Sequence, residues 1–287
     1  MDTFPLPGMG RAVVAVPAPG AGPGYWAGAS CAVPDPDGGF VVGYRVRNGH
    51  DGIDQTVVAR SPDGERLTAV ATLDQSRFGA QWMERPALVR TGQGRWRLYV
   101  CCGAPETKRW WIEVLEADDP AGFATAEARP AFPGDERTAV KDPIVRLVEG
   151  RWHAWICCHP LDVPGAEDRM SSAYATSDDG LAWRWHGTVL RGRPGAWDAR
   201  GARLTTVLPD GRAAYDGRAS AEENWFERTG LAVADGPEGP FTQVADSPVV
   251  DVRYLDVLAL PGGGYRIWYE ARLPDERHEL RTEHVGG

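Results

Sequence analysis

Five segments of this chain share one plan: an apolar strand, a glycine-containing hairpin and a second strand rich in aromatic residues. The points directly after the five hairpins are separated by 55, 56, 61 and 53 residues. These points are Val41, Trp96, Trp152, Ala213 and Arg266. A near-constant spacing of this size is typical of proteins built from repeats, in which each copy is one structural unit.

Each copy continues with a third strand, a polar turn and a short fourth strand. Four short strands per copy, without helical periodicity, predict an all-β five-bladed β-propeller with four antiparallel strands per blade. A pair of β-sandwiches, the competing interpretation, would not produce a fixed period. We therefore expect residues 1–287 to form a single propeller, whose N-terminal extension, residues 1–24, closes the ring by pairing with the last blade.

The charge balance and the cysteines exclude several classes of protein. The chain has 31 Lys and Arg residues against 40 Asp and Glu residues, a net charge of −9, whereas a nucleic-acid binder needs a basic surface. No apolar run approaches the roughly 18 residues of a membrane helix, and the proline-broken N-terminus lacks the basic region of a signal peptide. Five cysteines without a C-x-x-C pair predict reduced thiols and a cytoplasmic protein. In the pairs Cys101–Cys102 and Cys157–Cys158, we expect one thiol of each to lie in the core.

The twelve tryptophans fall into groups by position. Six occupy regular strand positions, where we expect them to pack between blades. They are Trp96, Trp152, Trp155, Trp183, Trp185 and Trp268. Four others precede a first strand or follow a second one, and these positions surround one mouth of a propeller channel. They are Trp26, Trp82, Trp197 and Trp225, and they either bind the flat face of a sugar ring or plug loops.

Charged and polar residues stand where the first strands begin, and these positions converge at the axis of a propeller. They are Glu84 and Arg85, Lys141 and Asp142, Asp198 and Arg200, and Arg253, Tyr254 and Asp256. Buried charges are costly unless they are paired or used. Two interpretations follow: a structural ion network around the axis, or a polar pocket in which a pair of carboxylates performs acid–base chemistry.

The segment KDPIVRLVEGRWHAW, which begins at Lys141, is similar to the motif that opens a blade in the five-bladed glycosidases of family 43 and the invertase-like families. The resemblance implies that Asp142 is the aspartate that orients the acid and tunes its pKa, or stabilises the transition state. Glu84, in WMERPALV, resembles the glutamates that open blades in these enzymes. The chain departs from the pattern at Ala29 and Ser30, where the family has a carboxylate, and at Asp198, where it has a general-acid glutamate.

The candidate catalytic residues are Glu84, Asp142 and Asp198, with Glu223 and Asp216 in reserve. Glycoside cleavage needs a protonated carboxylic acid and a second carboxylate opposite it, about 5–9 Å away. We expect Lys141 to alternate to the other face of its strand and to pair with a carboxylate there. The expected substrate-binding residues are Trp26, Trp82, Arg85, Trp197, Arg200, Asp216, Trp225, Arg253 and Tyr254.

The sequence predicts a glycoside hydrolase-like enzyme that acts on a small glycoside or oligosaccharide, a sugar-like ligand, with carboxylate catalysis at the central mouth. Two alternatives stay open: a lyase, isomerase or cyclase on the same scaffold, or a carbohydrate-binding propeller without catalysis. The six histidines have no metal-ligand spacing and no G-x-S-x-G motif is present, so we expect no metal and no cofactor. The oligomeric state stays open.

Overall fold

A computed structural model of the protein describes residues 3–50, 52–104 and 107–286. It contains 21 strands and two short 3-10 helices, Gln75–Phe78 and Pro120–Ala124. The strands pair into four sheets: the eight-stranded sheet combines the first and the last repeat, and the other three hold one repeat each. We call the strands of one repeat a unit and number the units in chain order. The chain is all-β, as the sequence predicts.

The strand bounds follow the repeats. Strand β1 is Val13–Val16. Unit one contains β2 Tyr25–Pro34, β3 Phe40–Asn48, β4 Asp54–Ser61 and β5 Thr68–Asp74. Unit two contains β6 Trp82–Met83, β7 Ala87–Arg90, β8 Trp96–Gly103, β9 Trp110–Ala117 and β10 Ala128–Phe132. Unit three contains β11 Thr138–Val148, β12 Arg151–Pro160, β13 Ser171–Ser177 and β14 Arg184–Arg191. Unit four contains β15 Gly201–Val207, β16 Arg212–Arg218, β17 Arg228–Val233 and β18 Thr242–Gln243. Unit five contains β19 Arg253–Ala259, β20 Tyr265–Arg272 and β21 His278–Val285.

The glycine of each predicted hairpin is required by the backbone. Gly94, Gly150 and Gly211 precede the second strands of three consecutive units, with φ of 82°, 81° and 82°. This left-handed conformation is readily adopted only by glycine. The recurring glycine therefore fixes where each first strand turns back.

The two ends of the chain meet in unit five. Strand β1 pairs antiparallel with β21, so unit five has four strands although only three come from the C-terminal repeat. A parallel bridge between Trp26 and His278 also connects unit five to unit one, and both units belong to one continuous sheet. Pairing of this kind covers edges that would otherwise be open to other chains.

In the part of the chain that the structure describes, the hydrophobic core consists of five clusters, and each lies between neighbouring units. Leu88 of unit two packs with Val41 of unit one, and Trp152 of unit three packs with Tyr99 of unit two. The remaining clusters join units three and four, four and five, and five and one. Since the last cluster returns to unit one, the contacts form a ring, and the first strands lie where the units meet at its centre.

Packing on both faces of each unit changes two expectations. Both thiols of each adjacent cysteine pair are buried, whereas we expected only one, because the two faces of a strand each contact a neighbouring unit. Five free thiols are present in the described residues. Among the strand tryptophans, Trp185 is 44% exposed on the outermost strand of unit three, where one edge of its ring contacts Phe132 of unit two. In the described residues, no helix has the length and apolar character needed to cross a membrane.

Candidate active site

A cavity of about 600 Å³ lies at the mouth of the ring, beside the starts of the first strands. Its lining combines three carboxylates, four cations, two histidines and three tryptophans. These residues are Glu84, Glu167, Asp168, Arg47, Lys108, Lys141, Arg218, His50, His159, Trp82, Trp110 and Trp225. A groove of similar volume on the side of unit three is lined by His153, Tyr174 and His186. We place the candidate site at the mouth because that cavity is lined by Glu84 and Lys141, which belong to the charges at the centre of the ring.

The first strands of three units carry the same backbone irregularity at the mouth. Ala29, Asp142 and Tyr254 have φ of 52°, 50° and 51°, and each lies in a bulge where the strand register shifts. A left-handed backbone costs non-glycine residues on the order of 1–3 kcal/mol, and such positions cluster at functional sites. The bulge also shows that the expectation for Lys141 is wrong. Its Nζ does not turn to the other face but lies 3.6 Å from Asp142 Oδ2 at the cavity wall.

A buried network at the axis joins all five units through Tyr254. The Tyr254 hydroxyl donates to Glu84 Oε2 at 3.1 Å and accepts from Arg203 Nη1 at 2.8 Å. The same Arg203 nitrogen lies 2.8 Å from Asp142 Oδ2. Arg45 of unit one binds Glu84 directly, and its other nitrogen lies 2.6 Å from Glu270. The leading residues of the first strands therefore converge, and nearly every central carboxylate has a cationic partner.

Glu84 presents one oxygen to the network and the other to the cavity. Its Oε2 is held by Arg45 and Tyr254. Its Oε1 lies 3.6 Å from Arg47 Nη2 and 3.8 Å from Lys141 Nζ, and it has no hydrogen-bond partner among the described residues. Burial opposes ionisation, but the charges of Arg45, Lys141 and Arg47 outweigh it and hold the pKa of Glu84 well below its usual value. Glu84 is therefore an ionised carboxylate with one free oxygen.

The other two carboxylates of the cavity are also held ionised. Burial opposes ionisation of Asp168, but two arginines outweigh it and lower its pKa. Arg200 Nε donates to Asp168 Oδ2 at 2.9 Å, and the charge of Arg218 acts in the same direction. Backbone N–H groups of its own residue and of Gly165 lower the pKa of Glu167. Within the described residues, no carboxyl group that lines the mouth has a raised pKa. The cavity can thus supply a base or a charge-stabilising carboxylate, but no carboxylic acid.

Aromatic side chains form the walls of the mouth. The rings of Trp82 and Trp110 lie 6.2 Å apart at 30°. On the opposite side, Trp225 lies 5.7 Å from Trp26 and 5.8 Å from His50. Such rings provide flat apolar faces of the kind on which the C–H faces of sugars stack. Of the four mouth tryptophans predicted from the sequence, Trp82 and Trp225 line the cavity at the mouth. Trp26 lines a smaller neighbouring cavity, to which Trp225 also contributes.

Some predicted residues lie behind the cavity rather than in it. Asp216 is fully buried, its Oδ2 lies 2.6 Å from Arg203 Nη2, and burial raises its pKa despite that arginine. Asp142 is 1% exposed and does not line the cavity. Arg253 binds Glu227 at 2.9 Å and Glu270 at 3.1 Å. These side chains support the mouth without reaching into it.

Other predicted residues are separate from the mouth. Arg85 points into the channel and donates to the carbonyls of Ser30, at 2.9 Å, and Thr205, at 2.7 Å. Asp198 accepts from Tyr215 Oη at 2.8 Å and from Arg193 Nε at 3.1 Å, in a turn before β15. Trp197 stacks on that same Tyr215, with ring centres 5.7 Å apart.

In the polar loop after β16, one predicted residue reaches the mouth and another does not. Its Trp225 contributes to the mouth, as above. Its Glu223 accepts from the backbone N–H of Ala219 at 2.8 Å and from Arg228 at 3.2 Å, so it closes the loop on itself.

In the described residues, no group of three or more His, Cys, Asp or Glu side chains is placed to hold a metal ion.

Sequence reasoning missed the cationic side of the mouth. Arg45 and Arg47 alternate in YRVRN on β3, and this spacing puts both on one face of the strand. That signal was available in the sequence. Arg218 ends the second strand of unit four, close to the mouth, and could have been found by aligning the strand ends of the repeats. His159 follows Cys158 near the end of β12, and from that position a structural histidine was favoured over one that faces the channel; it lines the cavity.

The fold is that of the all-β propellers found among enzymes that act on glycosides. Similar solved structures include a thermostable family-43 glycoside hydrolase, with 13% identity, a TM-score of 0.63 and coverage of 90% of this chain and 88% of that chain. Another is β-1,2-mannobiose phosphorylase from Listeria innocua, with 12% identity, a TM-score of 0.64 and coverage of 99% of this chain and 93% of that chain. A third is α-L-arabinofuranosidase from Lactobacillus brevis, with 11% identity, a TM-score of 0.67 and coverage of 90% of both chains. No protein-family model and no curated protein sequence matches the chain. The resemblance predicted from the sequence is confirmed at the level of the fold.

The buried carboxylates predict how stability depends on pH. Burial opposes ionisation of Glu270, but Arg45, Arg253 and His278 lower its pKa from 4.5 to about 2. Because the pKa is lower in the folded state, this carboxylate stabilises the fold above about pH 4.5, and the contribution is lost as the pH falls toward 2. We expect the melting temperature to fall over this range, and to fall less steeply in Glu270→Gln. Glu136→Gln, at an exposed position, should keep the wild-type slope. Parallel curves for wild type and Glu270→Gln would contradict the assignment.

Proposed function

We propose that this protein is a glycosidase-like, sugar-acting enzyme that binds a small glycoside or oligosaccharide in the mouth cavity, with Glu84 as its catalytic carboxylate. The observation that carries the proposal is the free Oε1 of an ionised Glu84 facing a cavity with tryptophan walls. The similar structures include enzymes named for hydrolysis of glycosides and for phosphorolysis of a mannobiose, which agrees with a sugar ligand.

The surroundings of Glu84 suit a base or a nucleophile. Arg45 and Tyr254 fix the orientation of the carboxylate through Oε2, so Oε1 needs no reorganisation before it reacts. Lys141, 3.8 Å away, stabilises negative charge that develops on a neighbouring ligand oxygen. Trp82 and Trp110 hold a sugar ring beside this pair. The chemistry assigned to Glu84 is removal of a proton from a bound hydroxyl or water, or stabilisation of positive charge at the reacting carbon.

The missing partner is a carboxylic acid. All three carboxylates of the cavity have lowered pKa values, so none donates a proton to a leaving group near neutral pH. Cleavage then depends on how well the leaving group departs as an anion. The second candidate function, a lyase or isomerase, is favoured by the Lys141 ammonium group at the cavity, which stabilises negative charge that develops next to a carbonyl or carboxylate.

A panel of glycosides separates these functions. We expect aryl glycosides with acidic phenol leaving groups to be cleaved much faster than the matching methyl glycosides, because the cavity offers no carboxylic acid. Equal rates for the two would show that an acid has been missed. Uronic-acid oligosaccharides test the lyase, whose unsaturated product absorbs ultraviolet light. Sugar binding without any turnover would leave a binding propeller, and no binding of any sugar would reject the proposed function altogether.

A further inference from the structure

One nitrogen of a buried histidine at the mouth has no partner. His159 is the last residue but one of β12, lines the cavity and is 7% exposed. Its Nδ1 lies 2.7 Å from the carbonyl oxygen of Glu167. A carbonyl only accepts hydrogen bonds, so Nδ1 carries the proton and Nε2 carries a lone pair. Nε2 is buried and, among the described residues, nothing donates to it.

The surroundings keep His159 in this neutral form. Burial and the charge of Lys141 lower its pKa to about 3. Nε2 is therefore an acceptor over the whole physiological range of pH. A buried acceptor without a donor costs stability, and such exceptions in folded proteins are usually satisfied by an ordered water, an ion or a ligand.

A complementary donor, Lys141, lines the same cavity, and its charge acts on His159. Lys141 Nζ is 3.6 Å from Asp142 Oδ2 and 3.8 Å from Glu84 Oε1, and 4.6 Å from the centre of the Trp110 ring. These distances allow charge attraction but are longer than a hydrogen bond to nitrogen. In the described part of the chain, the ammonium hydrogens of Lys141 therefore have no acceptor. The wall offers one lone pair and one set of free N–H donors.

We propose that His159 and Lys141 form a subsite that recognises a hydroxyl group of the bound sugar, which donates to His159 Nε2 and accepts from Lys141 Nζ. Only a group that both donates and accepts satisfies the two side chains together. A fully ionised phosphate or carboxylate has no proton for Nε2, so it would leave the lone pair unpaired. Trp82 and Trp110, with ring centres 6.2 Å apart, line the same cavity, and in this proposal the sugar ring stacks against them. The inference rests on the proposed function and adds that the sugar needs a free hydroxyl at one ring position.

The test uses the full-length protein with ¹⁵N-labelled histidine and tryptophan, followed by NMR spectroscopy at pH 6.5. The probes are the methyl glycosides of D-mannose, D-glucose, D-xylose and L-arabinose. In the free protein we expect a protonated Nδ1 and an unprotonated Nε2 at His159. A glycoside that shifts the indole signals of Trp82 and Trp110 should also shift His159 Nε2. His153 and His186, which lie in the separate groove on unit three, are internal controls and should not move.

Two variants make the role of the acceptor measurable. His159→Phe keeps the ring but removes the lone pair, and we expect binding of the same glycoside to weaken about tenfold to a hundredfold. His159→Gln places an amide oxygen near the position of Nε2 and should restore most of the affinity. The analogue deoxygenated at the recognised position should bind wild type as weakly as the parent sugar binds His159→Phe. In His159→Phe the same deoxygenation should cost almost nothing.

The outcomes separate the subsite from the function. Tryptophan shifts without a change at His159, or wild-type affinity in His159→Phe, would overturn the subsite and leave the proposed function standing. A protonated Nε2 in the free protein would overturn the subsite before any sugar is added. If neither the four glycosides nor any oligosaccharide of the panel above shifts the tryptophans, the proposed function fails, and the subsite fails with it.

Discussion

Replacing Arg203 with methionine is expected to destabilise the protein by about 3–5 kcal/mol, the usual cost of removing one partner from a buried ion pair. Arg203 is 1% exposed and lies 2.8 Å from Asp142 and 2.6 Å from Asp216. Its guanidinium also lies 3.9 Å from the centre of the Tyr254 ring. The substitution leaves two buried carboxylates without their main cation. Because total stabilities are typically about 5–15 kcal/mol, the loss should be plain in urea or thermal unfolding.

Arg66→Met is the matched control for Arg203→Met. Arg66 also pairs with an aspartate, Asp63 at 2.8 Å, but its side chain is 83% exposed, so the loss should be at most about 1 kcal/mol. Adding Asp216→Asn to Arg203→Met should recover part of the stability, since it removes one of the two uncompensated charges. A cost below 1 kcal/mol for Arg203→Met, or a further loss in the double variant, would mean that the central charges are not paired as described.

The fold was predictable because its signals are local and repeated. The hairpin glycines Gly94, Gly150 and Gly211 need a left-handed backbone, and the same order of an apolar strand, a hairpin and an aromatic-rich strand recurs around them. The pattern recurs in every copy, so a misassigned strand in one copy does not change the predicted architecture. The role of β1 was also predictable, since the last repeat contributes only three strands to unit five.

The candidate site was only partly predictable, because side-chain direction depends on the bulges. Glu84 and Tyr254 were found because first strands converge at an axis. Simple alternation, however, turns Lys141 away from Asp142, and the bulge at Asp142 puts both at the mouth. Asp198 failed to reach the mouth for another reason: the turn before β15 folds back, so that a Cβ at Gly192 would lie 2.1 Å from the carbonyl oxygen of Asp198. Neither effect has a signature in the sequence of a single chain.

Glu84→Gln is expected to lower turnover by about 10²–10⁴-fold on whichever glycoside the wild type cleaves, the usual contribution of one acid–base group. The amide keeps the shape of the side chain but is no longer a base. Asp142→Asn should lower turnover less. Asp142 does not line the cavity and acts through Lys141, 3.6 Å away, and through Arg203, so it is a positioning residue. Single-turnover rates and sugar affinity, measured on both variants, separate chemistry from binding.

The control for Glu84→Gln must separate lost chemistry from lost stability. Glu283→Gln changes another buried carboxylate, 1% exposed, which accepts from Gly8 and Gly10 at 3.0 Å and from Tyr269 at 2.6 Å, away from the mouth. It should lower the melting temperature while turnover at a permissive temperature stays near wild type. If Asp142→Asn lowers turnover more than Glu84→Gln does, Asp142 takes part in the chemistry as the glycosidase resemblance implies, and Glu84 is the supporting group. If both variants keep near-normal turnover, the central carboxylates only hold the ring together, and the chemistry lies elsewhere around the mouth, where Glu167 and Asp168 are the remaining carboxylates.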